Sequence, residues 1–331
     1  MPAPDNVKPH ETLTGNDFFR VSPMVLFPET MNEFSVYLKH EKGYTLYCHA
    51  DERFSEKHRR LLYENGVAEV YVQLKEKDQF ERYLEDHLGE ILTNEALPLK
   101  ERSRVLYSVS SSLVEDTFRT KLPASIKRES FERVTAMVRK GTEFLTQKDS
   151  LRAMASLISN HYQTYTHSVH VFVYTTAVLQ AYAFSREDMV QVGLGAVLHD
   201  VGKSTISKRI LDKPGRLDRE EREIINSHPV KGVSLCASMP LSQSALNCIL
   251  FHHERMDGQG YPSGMTEESI PLPVRVVSVC DCYDALTSDR PYADALEPYE
   301  ALKLMRDEMR GAFDLDVFKR LIAVLSDSRI V

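Results

Sequence analysis

From about residue 98 onward, apolar residues recur at helical spacing almost throughout, and side chains able to bind metal sit in or beside those same apolar runs. His167 lies within the run over 151–183. His199 and Asp200 close VGLGAVLHD, and His228 comes late in REEREIINSHP. His252 and His253 end ALNCILFHH, and Asp281 interrupts VRVVSVCD. An unpaired ionisable group is costly to bury. Any one such histidine is commonly a satisfied core or surface residue. Five histidines and two aspartates spread over five helices demand more: the helices must pack around one centre that partners them all.

The donors are imidazole and carboxylate with no thiolate. That set suits manganese, iron or a similar divalent ion better than a closed tetrahedral zinc site. Two divalent ions carry more positive charge than Asp200, Asp281 and a bridging hydroxide cancel, and the surplus attracts a phosphate anion. Two ions roughly 3.5–4 Å apart can lower the pKa of a bridging water and steady both the attacking and leaving oxygens of a phosphodiester. Asp200 is the expected bridge, since its neighbour His199 is also a candidate ligand. Lys203, one helical turn from His199, is expected to meet a non-bridging phosphate oxygen. Asp200 and Lys203 are therefore the expected catalytic residues.

Adjacent helical residues point about 100° apart, so His252 and His253 reach one ion only from a helix end. The stretch HHERMDGQGYPSG (252–264) supplies that end, with Asp257-Gly258 breaking the regular backbone. Its glycines permit positive φ and close approach, and Pro262 stiffens the turn that presents Tyr261. Glu254 and Asp257 are expected to pin the loop backbone and Arg255 to be solvated. Asp284, one turn after Asp281, reads either as a group orienting a ligand histidine or as a structural hydrogen bond. His170 reads as a helix-face histidine or as a group behind the ligands.

Ahead of this region the pattern is different. EFSVYLKH (33–40) and YTLYCHA (44–50) read as a hairpin turned at Gly43. Ser55 reads as the N-cap of a helix stopped by Gly66, followed by a strand over 68–74 and a helix over 77–92. The fold class is therefore mainly α, with a small α/β domain over 1–96 and an all-α domain over 97–331. In the latter, single helices are expected over 151–183, 218–236 and 240–256, and Ser185 with Asp188 reads as a capping box for a helix ending at Gly202.

The net charge of -7 argues against a general nucleic-acid or membrane-surface binder, so DNA is not an expected partner. Five scattered cysteines give no disulfide framework and fit a reducing cytoplasm. Neither a signal-peptide h-region nor a run of about 18 apolar residues is found, so no membrane span is expected. GKST (202–205) lacks the upstream glycine of a phosphate-binding loop, because Val197 stands there.

The series HDVGKS (199–204), SHPVKG (227–232), HHERMDGQGYPSG (252–264) and DCYDALTSDRPY (281–292) resembles the HD-GYP family over roughly 150–310. That family is a branch of the HD metal-dependent phosphohydrolases. The resemblance implies an all-α HD-type bundle and a cytoplasmic bacterial phosphodiesterase that linearises cyclic di-GMP to pGpG and sometimes on to GMP. It implies two iron or manganese ions held by His167, His199, Asp200, His228, His252, His253 and Asp281. It sets Lys203 against substrate phosphate, Tyr261 at the substrate mouth and Arg290 on a phosphate or base. Two positions depart from the family pattern. Gln163 stands where some members have a glutamate that supports a third metal, so two ions are expected. Ala293 follows the RPY tripeptide where many members carry a cation, which bears on substrate affinity and selectivity. Alternatives are a metal-bearing cyclic-dinucleotide sensor with weak turnover, or a hydrolase of another cyclic dinucleotide. Residues 20–96 resemble the partner domains found beside such units, with a possible protein-docking role.

Overall fold

A computed structural model describes residues 17–328 and 330, except 29, 32, 42, 120–124, 156, 159–163, 183 and 290–293. The chain divides into two units, Met1–Ile91 and Leu92–Val331.

The first unit is built on an antiparallel sheet. Strands β1 (Phe18–Val21), β3 (Val36–His40), β4 (Gly43–Cys48) and β6 (Val70–Gln73) lie in the order β1-β6-β3-β4. The short strands β2 (Thr30–Met31) and β5 (Arg53–Phe54) pair separately. The expected hairpin is β3–β4, and Gly43 takes a positive φ of 137° at its turn. Helix α1 (Glu56–Glu64) starts at Ser55, whose hydroxyl accepts from His58 N while His58 caps Ser55 in return. Alternation along β6 buries Val70 and Val72, which join Phe34, Val36 and Phe54 in the core. The expected helix over 77–92 is two, α2 (Lys77–Asp86) and α3 (Leu88–Thr93). Phe80 and Tyr83 of α2 meet Phe34 edge-on at 5.1 and 5.4 Å.

The second unit is helical. It comprises α4 (Leu99–Arg119), α5 (Arg128–Leu145), α6 (Ser150–Ala155), α7 (Thr164–Leu179), α8 (Arg186–Leu198), α9 (Lys208–Leu211), α10 (Arg219–Asn226), α11 (His228–Cys236), α12 (Gln243–Phe251), α13 (Leu272–Thr287), α14 (Pro298–Asp307) and α15 (Leu315–Asp327). From His167 to Leu179, α7 is buried without a break, and α8 is buried from Val192 onward. A helix that is apolar all round belongs inside a core. Helices α7 and α8 pack together, with α13 against α7 and α12 against α8. These four bring their polar residues to one place.

Four expected helices are shorter than the pattern suggested. The 151–183 run holds α6 and α7 as separate helices. The 218–236 run breaks at Ser227, because Pro229 has no amide hydrogen to continue the ladder to Ile225. Helix α12 ends at Phe251, and α8 ends at Leu198 with a 3-10 turn (Val201–Thr205) after it. Ser185 caps α8 by accepting from Asp188 N, but its hydroxyl also bonds the Asp188 carboxylate. No helix among the described residues is long and apolar enough to cross a membrane. All five cysteines are free; Cys280 is buried and Cys282 partly exposed.

Candidate metal centre

Three of the histidines stand where a helix stops. The last carbonyls of an α-helix have no intrahelical partner. His199 Nδ1 lies 2.7 Å from the Ala196 carbonyl, His228 Nδ1 2.8 Å from Ile225, and His252 Nδ1 3.0 Å from Ile249. Each ring thus caps the carbonyl three residues back. For His228, that carbonyl is the one Pro229 cannot use. His167 instead sits within α7, with Nδ1 2.7 Å from the carboxylate of Asp284.

All four acceptors are oxygens that only accept. Nδ1–H therefore donates in each case, and in the neutral ring Nε2 carries the lone pair that can meet a cation. Those lone pairs converge. His228 Nε2 and His252 Nε2 are 3.1 Å apart, and His167 Nε2 is 3.0 Å from Asp281 Oδ1. Lone pairs at such distances repel unless a positive charge lies among them. His199 Nε2 and Asp200 Oδ1 are buried with no hydrogen-bond partner among the described residues. The donor set and its orientation therefore fit divalent cations.

Two groups of candidate ligands form: Asp200 with His228, His252 and His253, and His167 with His199 and Asp281. Asp200 divides its oxygens between them. Its Oδ1 is 3.2 Å from His228 Nε2, and its Oδ2 is 3.4 Å from His199 Nε2. Asp281 likewise turns Oδ1 to His167 and Oδ2 to His253 Nδ1, at 3.0 and 3.8 Å. Burial opposes the charge on Asp200, but Lys203 and His199 outweigh it and hold the carboxyl well below its usual range. Burial likewise opposes the charge on Asp281, and His167 and His199 prevail. Burial and the neighbouring imidazoles push His252 far below the ordinary histidine value, and burial takes His253 down to about 3. His252 and His253 are thus neutral imidazoles beside two charged carboxylates.

Lys203 Nζ is 2.6 Å from Asp200 Oδ2 at the edge of this cluster. The turn that carries it comes against α11 at Gly202, where a Cβ would lie 1.9 Å from the His228 carbonyl oxygen. Only glycine lets the two segments meet.

The loop after His253 is pinned from beneath. Glu254 is buried, and its carboxylate accepts from Ser263 N at 2.6 Å and Met265 N at 2.9 Å. Gly260 lies so close to the backbone of residues 253–255 that a Cβ would approach Arg255 N to 2.4 Å. Tyr261 N donates to the His253 carbonyl, and the Tyr261 ring stacks on His253 with centroids 4.7 Å apart. Arg255 is not simply solvated: it makes two hydrogen bonds to Asp257, at 3.0 and 2.6 Å.

Sequence reasoning missed Tyr107 of α4. Its hydroxyl is 3.0 Å from His170 Nε2, while His170 Nδ1 is 2.9 Å from Asp284 Oδ1. A tyrosine 63 residues before its partner, at ordinary core spacing, gives no signal of that role. Arg290, Gln163 and Ala293 lie outside the described residues.

A family model described as an HD domain matches residues 149–317, just over half of the chain. The chain belongs to the HD domain family. The family expected from the motif series is thereby borne out. This HD-domain chain is 36% identical over 179 residues to a cyclic di-GMP phosphodiesterase of Pseudomonas aeruginosa, covering 54% of the chain and 43% of that protein. It is 34% identical over 160 residues to a 3'3'-cGAMP-specific phosphodiesterase of Vibrio cholerae, covering 48% and 35%. The chain thus spans less than half the length of these relatives. An HDG"Y"P protein of Bdellovibrio bacteriovorus shares the fold, with a TM-score of 0.63 at 18% identity over 94% of this chain and all of that one.

Proposed function

We propose that this chain hydrolyses a cyclic dinucleotide, cyclic di-GMP first, using two divalent ions in its helical unit. The observation that carries this reading is the convergence of the histidine Nε2 atoms on one another and on two charged carboxylates, in two clusters of candidate ligands. Divalent cations placed among them would satisfy the imidazoles and the carboxylates together. His167, His199 and Asp281 would hold one ion, His228, His252 and His253 the other, and Asp200 both. Iron and manganese suit these donors. When bound, such a pair supplies an activated water and charge to offset that developing on phosphate oxygens.

The chain's own groups do the rest. An ammonium has three donors, so Lys203 can hold Asp200 ionised and also meet a phosphate oxygen. Tyr261, stacked on His253, offers a flat face beside the centre for a ribose or base. We assign Arg290 to the same substrate. The product would be the linear dinucleotide pGpG, and GMP if a second cut follows. Five free cysteines fit the bacterial cytoplasm, where we place this reaction.

One observation favours a second reading. A relative of nearly equal similarity is named for 3'3'-cGAMP, and on this reading the preferred ring is mixed rather than all-guanine. The test is to load purified protein anaerobically with manganese or iron and follow each cyclic dinucleotide, alone and in competition, by chromatography. Preferred linearisation of cyclic di-GMP supports the first reading, and preference for 3'3'-cGAMP supports the second. Binding without product, with both metals and in repeated preparations, overturns both and leaves a sensor.

A further inference from the structure

We propose that Tyr107 and His170 are positioning residues for the ion that His167 would hold, acting through Asp284. The inference rests on the two-metal reading above.

The hydrogen bonds have a forced direction. Asp284 is fully buried, and one of its oxygens takes His167 Nδ1–H at 2.7 Å while the other takes His170 Nδ1–H at 2.9 Å. With its proton on Nδ1, His170 presents Nε2 as an acceptor. Tyr107 must then be the donor, at 3.0 Å. The two rings lie nearly parallel, 20° apart. Helices α4, α7 and α13 are thus joined by a relay running Tyr107 to His170 to Asp284, with His167 bound to the other side of the same carboxylate.

A packing role alone would not require this. His170 is 1% exposed, and an apolar side chain could fill its place without needing two partners. Its Nε2 meets the phenol instead of a candidate ion. What the relay achieves is a single arrangement of protons. Asp284 fixes the tautomer of His170, the Tyr107 hydroxyl holds that ring at its far nitrogen, and His170 occupies one oxygen of Asp284. The other oxygen remains for His167, whose ring is held with Nε2 toward Asp281. A partner behind a ligand histidine fixes its tautomer and orientation, and losing one typically costs about 10–100-fold in metal affinity. Tyr107 lies outside the 149–317 stretch matched by the family, so α4 completes the centre from beyond that stretch.

The experiment uses the full chain with Tyr107→Phe and, separately, Asp284→Asn. Manganese dissociation constants are measured by chelator competition. Melting temperature is measured on the metal-free forms, and absorption spectra on the cobalt-loaded forms. An amide cannot accept from both imidazoles, so Asp284→Asn must disturb one tautomer. Wild type is expected to bind two ions. Tyr107→Phe should weaken one of them by about 10-fold and Asp284→Asn by about 100-fold. The second constant should stay within about twofold, the cobalt spectrum should change, and the metal-free melting temperature of Tyr107→Phe should match wild type. Wild-type constants and spectra in Tyr107→Phe would overturn the inference. So would equal loss at both sites together with a lowered metal-free melting temperature, which marks a merely structural role. If Asp284→Asn does not fold, Tyr107→Phe decides. Failure of wild type to bind two ions would instead overturn the two-metal reading itself.

Discussion

Replacing Gly202 with alanine should damage fold and metal centre together, and the structure sets the size. The new Cβ would lie 1.9 Å from the His228 carbonyl oxygen and 2.7 Å from Gly232 N. Both are backbone atoms, so no rotamer change relieves the clash. Reaching an ordinary contact of 3.4 Å requires α11 to retreat by about 1.5 Å. Overpacking of this kind costs about 1–3 kcal/mol, and a backbone clash belongs near the upper end. In a unit of this size each kcal/mol lowers the melting temperature by about 2–4 °C, so a fall of roughly 6–12 °C is expected. The same retreat carries His228 away from Asp200, now 3.2 Å distant, and should weaken the ion on that side by at least about 10-fold. Thermal denaturation of metal-free protein, followed by manganese titration, reads both effects. A melting temperature within about 1 °C of wild type, with two ions bound at unchanged affinity, would refute the reasoning.

Three further outcomes follow from the same geometry. Glu254→Gln keeps one acceptor but sets an amide N–H against a backbone N–H, so the Tyr261 loop should loosen. KM for the cyclic dinucleotide should rise about 10-fold while metal content stays unchanged, which steady-state kinetics and metal analysis would check. Acidification should destabilise the metal-free protein, because His252 and His253 stay neutral in the fold while the unfolded chain takes up their protons. That stability is complete above pH about 6.5 and falls by up to about 1.4 kcal/mol per pH unit per imidazole below it, so melting temperatures should drop between pH 7 and 5. A flat profile there would count against burial of neutral imidazoles. Restoring manganese at about 100 times its dissociation constant should add about 2.7 kcal/mol per site, read as a higher melting temperature.

The candidate ligands were legible because most are anomalies: His167 and Asp281 interrupt apolar helices, His199, Asp200 and His252 close apolar runs, and His228 stands beside Pro229 at a helix junction. The helical unit was legible for the same reason, since α7 and α8 are apolar enough to belong only in a core. Helix ends were harder. Periodicity runs straight through Ser227, and only Pro229 marks the break that frees the Ile225 carbonyl for His228. The anchoring of Nδ1 on carbonyls three residues back was not legible, because it depends on where each helix stops. Tyr107 was invisible because a phenol at core spacing looks like packing until its partner, far along the chain, is brought to it. Gly260 could be read as permitting close approach, but what it approaches is the backbone of residues 253–255 rather than a ligand.

Two-metal hydrolysis is tested most directly by titrating manganese anaerobically into metal-free protein at fixed cyclic di-GMP while following the linear dinucleotide. Turnover should be absent without metal, should rise until two ions per chain are bound, and should then stay level. Turnover by metal-free protein, or none with both sites filled, would contradict it.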